Sequence, residues 1–268
     1  MASESSKRKR TRQAASDPPP VAESLGGLYD FLPPPDPERD AEAKVKAVKK
    51  ERPKLPPEDR SKVVFLDVDG VLLAAGSIET IFIDGVALPI RERMTENDFG
   101  AAALESLRSI LVRTGATLVL SSEWRRTASM RDAIGGVLRS RECPQLREFT
   151  PVLKPRPDLE KHDPAIVWCE RRAREIGAWL KQHPEVTSYV ALDDLDFNWA
   201  DSVRAVGTPH MKPRSVLTNA QHCLTEVGAE EAVRILLNPP HLTEDEQAAA
   251  IAEAIRATNE GLMNGELR

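Results

Sequence analysis

The sequence predicts an α/β fold: a three-layer sandwich with a parallel sheet covered on both sides, carrying at most a minimal cap. Two observations predict it. Short apolar, β-branched runs alternate from residue 61 onward with stretches of helical periodicity, the pattern of strands connected by crossover helices. Three of those runs also end in residues able to do chemistry, as expected where the carboxyl ends of parallel strands form a ligand site.

Residues 1–60 stand apart. They hold 10 of the 21 prolines, in runs such as Pro18-Pro19-Pro20 and Pro33-Pro34-Pro35, with few large apolar side chains. Such a stretch buries too little surface to offset its ordering entropy and reads as a disordered arm. Its start, Lys7-Arg8-Lys9-Arg10 with Arg12, fits a nuclear-import address, a nucleic-acid contact or a plain solvated tail. The segment Ala41–Lys50 has only a thin apolar face, enough for a transient helix.

The structured elements follow in order. Val63-Val64-Phe65-Leu66 reads as a fully buried strand. Residues 80–88 place Asp84-Gly85 between two apolar stretches, a hairpin signal. Leu104, Leu107, Ile110 and Leu111 recur at helical spacing, with Gly115 as the stop. Leu118-Val119-Leu120 is the next strand, and Ile176, Trp179 and Leu180 mark a helix ending near His183-Pro184. Tyr189-Val190-Ala191-Leu192 is a third strand, and Val203–Val206 is expected as a fourth. A helix over Glu226–Leu237 closes the domain at about residue 240. Residues 241–268 read as a terminal helix, opened by the capping box Thr243-x-x-Glu246 and carrying Ile251 and Ile255 on one face.

Composition narrows the function classes. The net charge of −5 excludes an electrostatic nucleic-acid binder taken as a whole, and the basic excess lies in the arm. No apolar run approaches membrane-spanning length, and no apolar signal core follows the first charges, so a location in the cytoplasm or nucleus is expected. Cys143, Cys169 and Cys223 lack the paired spacing of a zinc site and read as reduced, partly buried thiols. His162, His183, His210 and His222 form no ligand pattern either.

The chemistry is expected at the strand ends: Asp67-Val68-Asp69-Gly70, Ser121-Ser122, and Asp193-Asp194. Alternation at a strand end aims residues two apart the same way, so Asp67 and Asp69 share a cavity, and Gly70 lets the chain turn close to a ligand. Crowded carboxylates repel one another; a hard divalent cation such as Mg²⁺ relieves that and leaves room for a phosphate oxygen. Asp67 then serves as nucleophile and Asp69 as acid and base, with Asp67, Asp69, Asp193 and Asp194 as the expected metal set. An isolated Asp-x-Asp is more often a turn or cap; the apolar strand ahead of it and the two agreeing strand ends decide against that here. Trp124-Arg125 is open to two readings, a substrate contact by stacking and ion pairing or a turn packing its Trp into the core. Asp201 is read as a helix cap rather than a metal ligand.

These segments resemble the motifs of the haloacid dehalogenase (HAD) superfamily, whose fold is Rossmannoid. VVFLDVDGVL at 63–72 is similar to the first motif, LVLSS at 118–122 to the second, and YVALDD at 189–194 to the fourth. The resemblance implies Asp67 as nucleophile, Asp69 as acid/base, and Ser121 as the phosphoryl-binding hydroxyl, with Ser122 as the alternative. It also implies a phosphate-binding cation ahead of the fourth motif: Arg172, opening the helix of RRAREIGAWL, with Arg171, Lys161 and Lys154 as rivals. More narrowly, SSEWR at 121–125, Thr150-Pro151, the Arg172…Glu175-Ile176…Trp179-Leu180 helix and VLTNAQHCLT at 216–225 resemble the HAD domain of Swiss Army Knife RNA repair proteins. Two departures stand out, an Arg where Lys is usual and Cys223 where Gly is expected. Asp69 favours phosphoryl transfer over dehalogenation, which needs no acid at that place. The expected function is a Mg²⁺-dependent phosphatase acting on a phosphorylated substrate such as a nucleic-acid end, with a non-catalytic HAD-fold binding module as the rival.

Overall fold

Five parallel strands lie in the order β5-β4-β1-β6-β7, with β1 (Asp59–Leu66) at the centre, in a computed structural model that describes residues 52–76, 80–83, 86–89 and 96–241 and positions 244 and 248. The others are β4 (Ala116–Leu120), β5 (Leu146–Phe149), β6 (Ser188–Asp193) and β7 (Ser215–Leu217). A separate hairpin pairs β2 (Thr80–Ile83) with β3 (Val86–Pro89) antiparallel, as expected, and β3 lies against the turn that follows β4. Its turn, Asp84-Gly85, lies outside the described residues, as do residues 1–51 of the arm with the Ala41–Lys50 segment, and the 243–246 capping box with Ile251 and Ile255; residues 52–60, expected to belong to the arm, instead lead into and begin β1.

The three central strands carry unbroken apolar runs because both sheet faces are covered. Val64 and Leu66 point to one face, where they meet α1 (Ala101–Thr114), α2 (Ala128–Ser140) and α5 (Glu226–Leu237). Val63 and Phe65 point to the other, against α3 (Pro164–Leu180) and α4 (Phe197–Ser202). Phe65 packs edge-on against Trp179 and Tyr189, with ring centroids 5.4 and 5.8 Å away. Such aromatic pairs add about 0.5–1.5 kcal/mol each beyond the area they bury. The result is the expected three-layer α/β sandwich.

Boundaries follow local chemistry. Gly115 ends α1 at φ 69°, the left-handed cap that glycine adopts without cost. The side chain of Asp163 accepts from Ala165 N at 2.8 Å and Pro164 fills the first turn of α3. Helix α3 therefore starts eight residues before Arg172, which sits in its middle rather than at its opening. At the other end of the unit, Arg108 Nη2 donates to Pro53 O at 2.7 Å, so ordered contacts begin ahead of β1.

Three readings of the sequence are corrected. Val203–Val206 is a loop with Val206 wholly exposed, and the fourth central-sheet neighbour is instead the three-residue β7. Strand β5, LREF, and helix α2, which contains Gly135-Gly136, were not anticipated. Asp201 does not cap its own helix; it accepts from Met211 N and Lys212 N at 3.0 and 2.9 Å, at the start of the 3-10 turn Lys212–Arg214, and pairs with His210, pinning the loop before β7. The three cysteines are buried free thiols, as expected.

A buried ionic lattice ties the layers together behind the sheet edge. Arg125, on the 3-10 turn Glu123–Arg126, donates to Glu175 Oε2 of α3 at 2.5 Å, and both side chains are fully buried. Arg125 also donates to the carbonyls of Ser122, Thr150 and Pro151, while Glu175 Oε1 accepts from Leu153 N at 3.0 Å. Removing one member of such a pair strands a buried charge. Glu175→Ala is therefore expected to lower stability by about 3–5 kcal/mol in urea denaturation. A loss below about 1 kcal/mol would show that Arg125 is held by the carbonyls alone.

Candidate active site

The backbone ladder runs one residue past each strand end, which brings the chemical residues level. Asp67 N donates to Leu192 O at 3.0 Å, Ser121 N to Leu66 O at 2.8 Å, Thr150 N to Leu120 O at 3.0 Å and Thr218 N to Asp193 O at 2.9 Å. Ligands of such sheets bind outside the strands' carboxyl ends near the point where connections diverge, here β1, which has β4 on one side and β6 on the other.

One carboxylate oxygen from each of Asp67, Asp193 and Asp194 lies within 4.8 Å of the others. The first two are buried and the third half-buried. The all-oxygen donor set suits a hard divalent cation such as Mg²⁺. Asp69, expected as a fourth carboxylate ligand, stands outside this group; its Oδ2 accepts from Trp124 Nε1 at 2.9 Å.

Arg172 is brought to the same place. Its Nη1 lies 2.7 Å from Asp193 Oδ2 and 3.4 Å from Asp67 Oδ1, and donates to Ser121 O. The rival cations go elsewhere: Arg171 pairs with Glu123, and Lys154 and Lys161 are exposed. Ser121 is almost fully buried, and its hydroxyl has no hydrogen-bond partner among the described residues. A buried hydroxyl left without a partner is costly unless a ligand completes it. The Ser122 hydroxyl instead caps the turn, accepting from Trp124 N at 3.5 Å.

The electrostatics reflect the crowding. Burial, then the charge of Asp67, pushes the Asp69 carboxyl up to about 7, against the opposing hydrogen bond from Trp124. Burial and Asp67 push Asp194 up to about 6. Burial also raises Asp193 well above the usual carboxylate range, although Arg172 opposes it. Burial works against the Arg172 charge too, but Asp193 and Asp67 more than compensate and hold it cationic. One guanidinium thus faces four carboxylates, and a bound cation would correct that imbalance.

Glycine at position 70 is required by this packing. Its φ is +72°, and an added Cβ would fall 2.4 Å from Asp194 Oδ2. Thr218, which sequence reading did not single out, anchors the same turn by donating from Oγ1 to Gly70 O at 2.8 Å. The only signal for it was its place just after a short apolar run. Cys223 occupies a left-handed position at φ 60°, which explains why glycine is expected there.

Trp124 is 1% exposed and the Arg125 side chain is wholly inside the lattice described above, the arrangement of the second sequence reading, a turn packed into the core.

A family model described as the HAD domain in Swiss Army Knife RNA repair proteins matches residues 63–229. No curated protein and no solved structure gives a significant match. Of the residues that carry the narrower resemblance, Ser122, Arg125, Thr150, Pro151 and Glu175 are joined in the Arg125 lattice.

Gly70→Ala tests the geometry of the turn. The left-handed backbone alone costs a non-glycine residue about 1–2 kcal/mol, and the clash with Asp194 adds to it. A marked fall in melting temperature is expected, together with loss of any Mg²⁺-induced upward shift; an unchanged melt would contradict the close approach.

Proposed function

The chain belongs to the family of HAD domains found in Swiss Army Knife RNA repair proteins, and from that premise we propose that it is a Mg²⁺-dependent phosphomonoesterase working through a phospho-aspartate on Asp67. The observation that carries this reading is the convergence of the Asp67, Asp193 and Asp194 carboxylates beside Arg172 and the unpartnered Ser121 hydroxyl. A pure binding module has no use for crowded buried carboxylates, which are unfavourable without a function.

Asp67, Asp193 and Asp194 would hold the cation, which neutralises their charge and that of the phosphate oxygens. Asp67 attacks phosphorus, forming the acyl-phosphate bond as the bond to the leaving oxygen breaks. Asp69, whose carboxyl stands outside the metal group, donates its proton to that oxygen. It then takes a proton from the water that attacks the phosphorus, releasing phosphate and restoring Asp67. Arg172 and Ser121 bind the phosphoryl oxygens throughout.

The substrate class we favour is a nucleic-acid end. Among the described residues, the segment between β1 and α1 holds only the β2–β3 hairpin and a 3-10 turn at Glu96–Asp98, and so small an insertion favours a large substrate. Two exposed tryptophans lie on the helices that follow or carry site residues. Trp168 lies one turn before Arg172 on α3, and Trp199 lies on α4, which follows directly from the Asp193-Asp194 turn. Base stacking on such rings contributes about 1–3 kcal/mol per base.

Phosphate release from 4-nitrophenyl phosphate should require Mg²⁺, stop with EDTA, and fall at least about a thousandfold in Asp67→Asn. Mg²⁺-independent or Asp67-independent release would reject the mechanism; no release from any substrate would favour the binding module. On a panel of 3′- and 5′-phosphorylated oligonucleotides and sugar phosphates, an oligonucleotide should be preferred. Trp168→Ala with Trp199→Ala should shrink that preference by about tenfold or more. An unchanged preference would remove the stacking role.

A further inference from the structure

Among the described residues, the one hydrogen bond to the Asp69 carboxyl comes from an inward-facing indole. The Trp124 ring is almost fully buried and packs against Phe99, with centroids 6.4 Å apart. The turn carrying it is fixed by the next residue, Arg125, through Glu175 and three carbonyls. The indole N–H therefore has little freedom to move.

An indole N–H can only donate. A neutral carboxyl has one good acceptor, its carbonyl oxygen, and one oxygen that carries the proton. With Oδ2 engaged by Trp124, the acidic proton belongs on Oδ1. We infer that Trp124 is a positioning residue for Asp69: it fixes which oxygen transfers the proton and keeps the carboxyl out of the metal group. The inference rests on the acid/base reading of Asp69 given above. In the first half-reaction the electron pair of the breaking P–O bond stays on the leaving oxygen, which takes the Oδ1 proton. The carboxylate left behind keeps the indole hydrogen bond. In the second half-reaction Oδ1 takes a proton from the attacking water.

The consequence is a dependence on the leaving group. 4-Nitrophenolate departs without needing a proton, whereas an alkoxide does not. Trp124→Phe keeps an aromatic ring in the pocket but removes the donor. It should lower kcat/KM for an alkyl phosphate monoester by about tenfold or more, part of the usual contribution of a general acid. For 4-nitrophenyl phosphate the loss should stay within about threefold. Equal losses on both substrates would overturn the inference and leave Trp124 a packing residue.

A second measurement does not depend on activity or on the stability of that variant. The chain has four tryptophans, hence four indole N–H signals in a ¹⁵N-labelled NMR spectrum. Asp69→Ala should shift one of them and hasten its exchange with solvent; no shift in any of the four would also overturn the inference. Failure of the phosphatase reading is seen separately, as Asp67-independent turnover with the indole contact intact.

Discussion

Carboxylate crowding at one sheet edge governs this molecule. Four acidic side chains, those of Asp67, Asp69, Asp193 and Asp194, lie in a largely buried space where, among the described residues, Arg172 is the guanidinium paired with Asp67 and Asp193. Burying uncompensated charge is among the most unfavourable things a fold can do. The raised pKa values of Asp69, Asp193 and Asp194 are the visible sign of it. Every neighbouring feature can be understood as managing that load. Leu195 N donates to Asp193 Oδ1, Trp124 to Asp69, and Arg172 sits between Asp67 and Asp193.

The choice of arginine over the more usual lysine follows from the same constraint. A lysine ammonium is one compact donor centre, whereas a guanidinium spreads its donors over a planar fork. Arg172 spends Nη1 on Asp193 and Ser121 O, which fixes the fork on the protein side. Under the proposed function, its remaining donors are those that would bind a phosphoryl oxygen. The Arg125–Glu175 pair then fixes α3, and so Arg172, relative to the strand ends.

Much of this was legible in the chain. The runs 63–66, 118–120 and 189–192 stood out because strands buried on both faces admit no polar residue. The three polar strand ends stood out because they interrupt those runs. Edge elements were illegible for the complementary reason: β5 carries Arg147 and Glu148 on a half-exposed edge, and β7 is only three residues long. Helix α2 was hidden by Gly135-Gly136, whose poor helix propensity is overridden by Ile134, Val137 and Leu138 packing into the core. The inward turn of Trp124 and Arg125 was beyond reach because residue type does not say which way a short turn points. The start of α3 could have been found, since Asp163-Pro164 is a cap followed by a first-turn proline.

The fully enclosed Arg125–Glu175 pair has a consequence for heat. Hydration of charged groups carries a strongly negative entropy, so the penalty for stripping water from this pair shrinks as temperature rises. Its net contribution to holding turn, strand end and helix together therefore grows on warming, just where the apolar layers have stopped gaining.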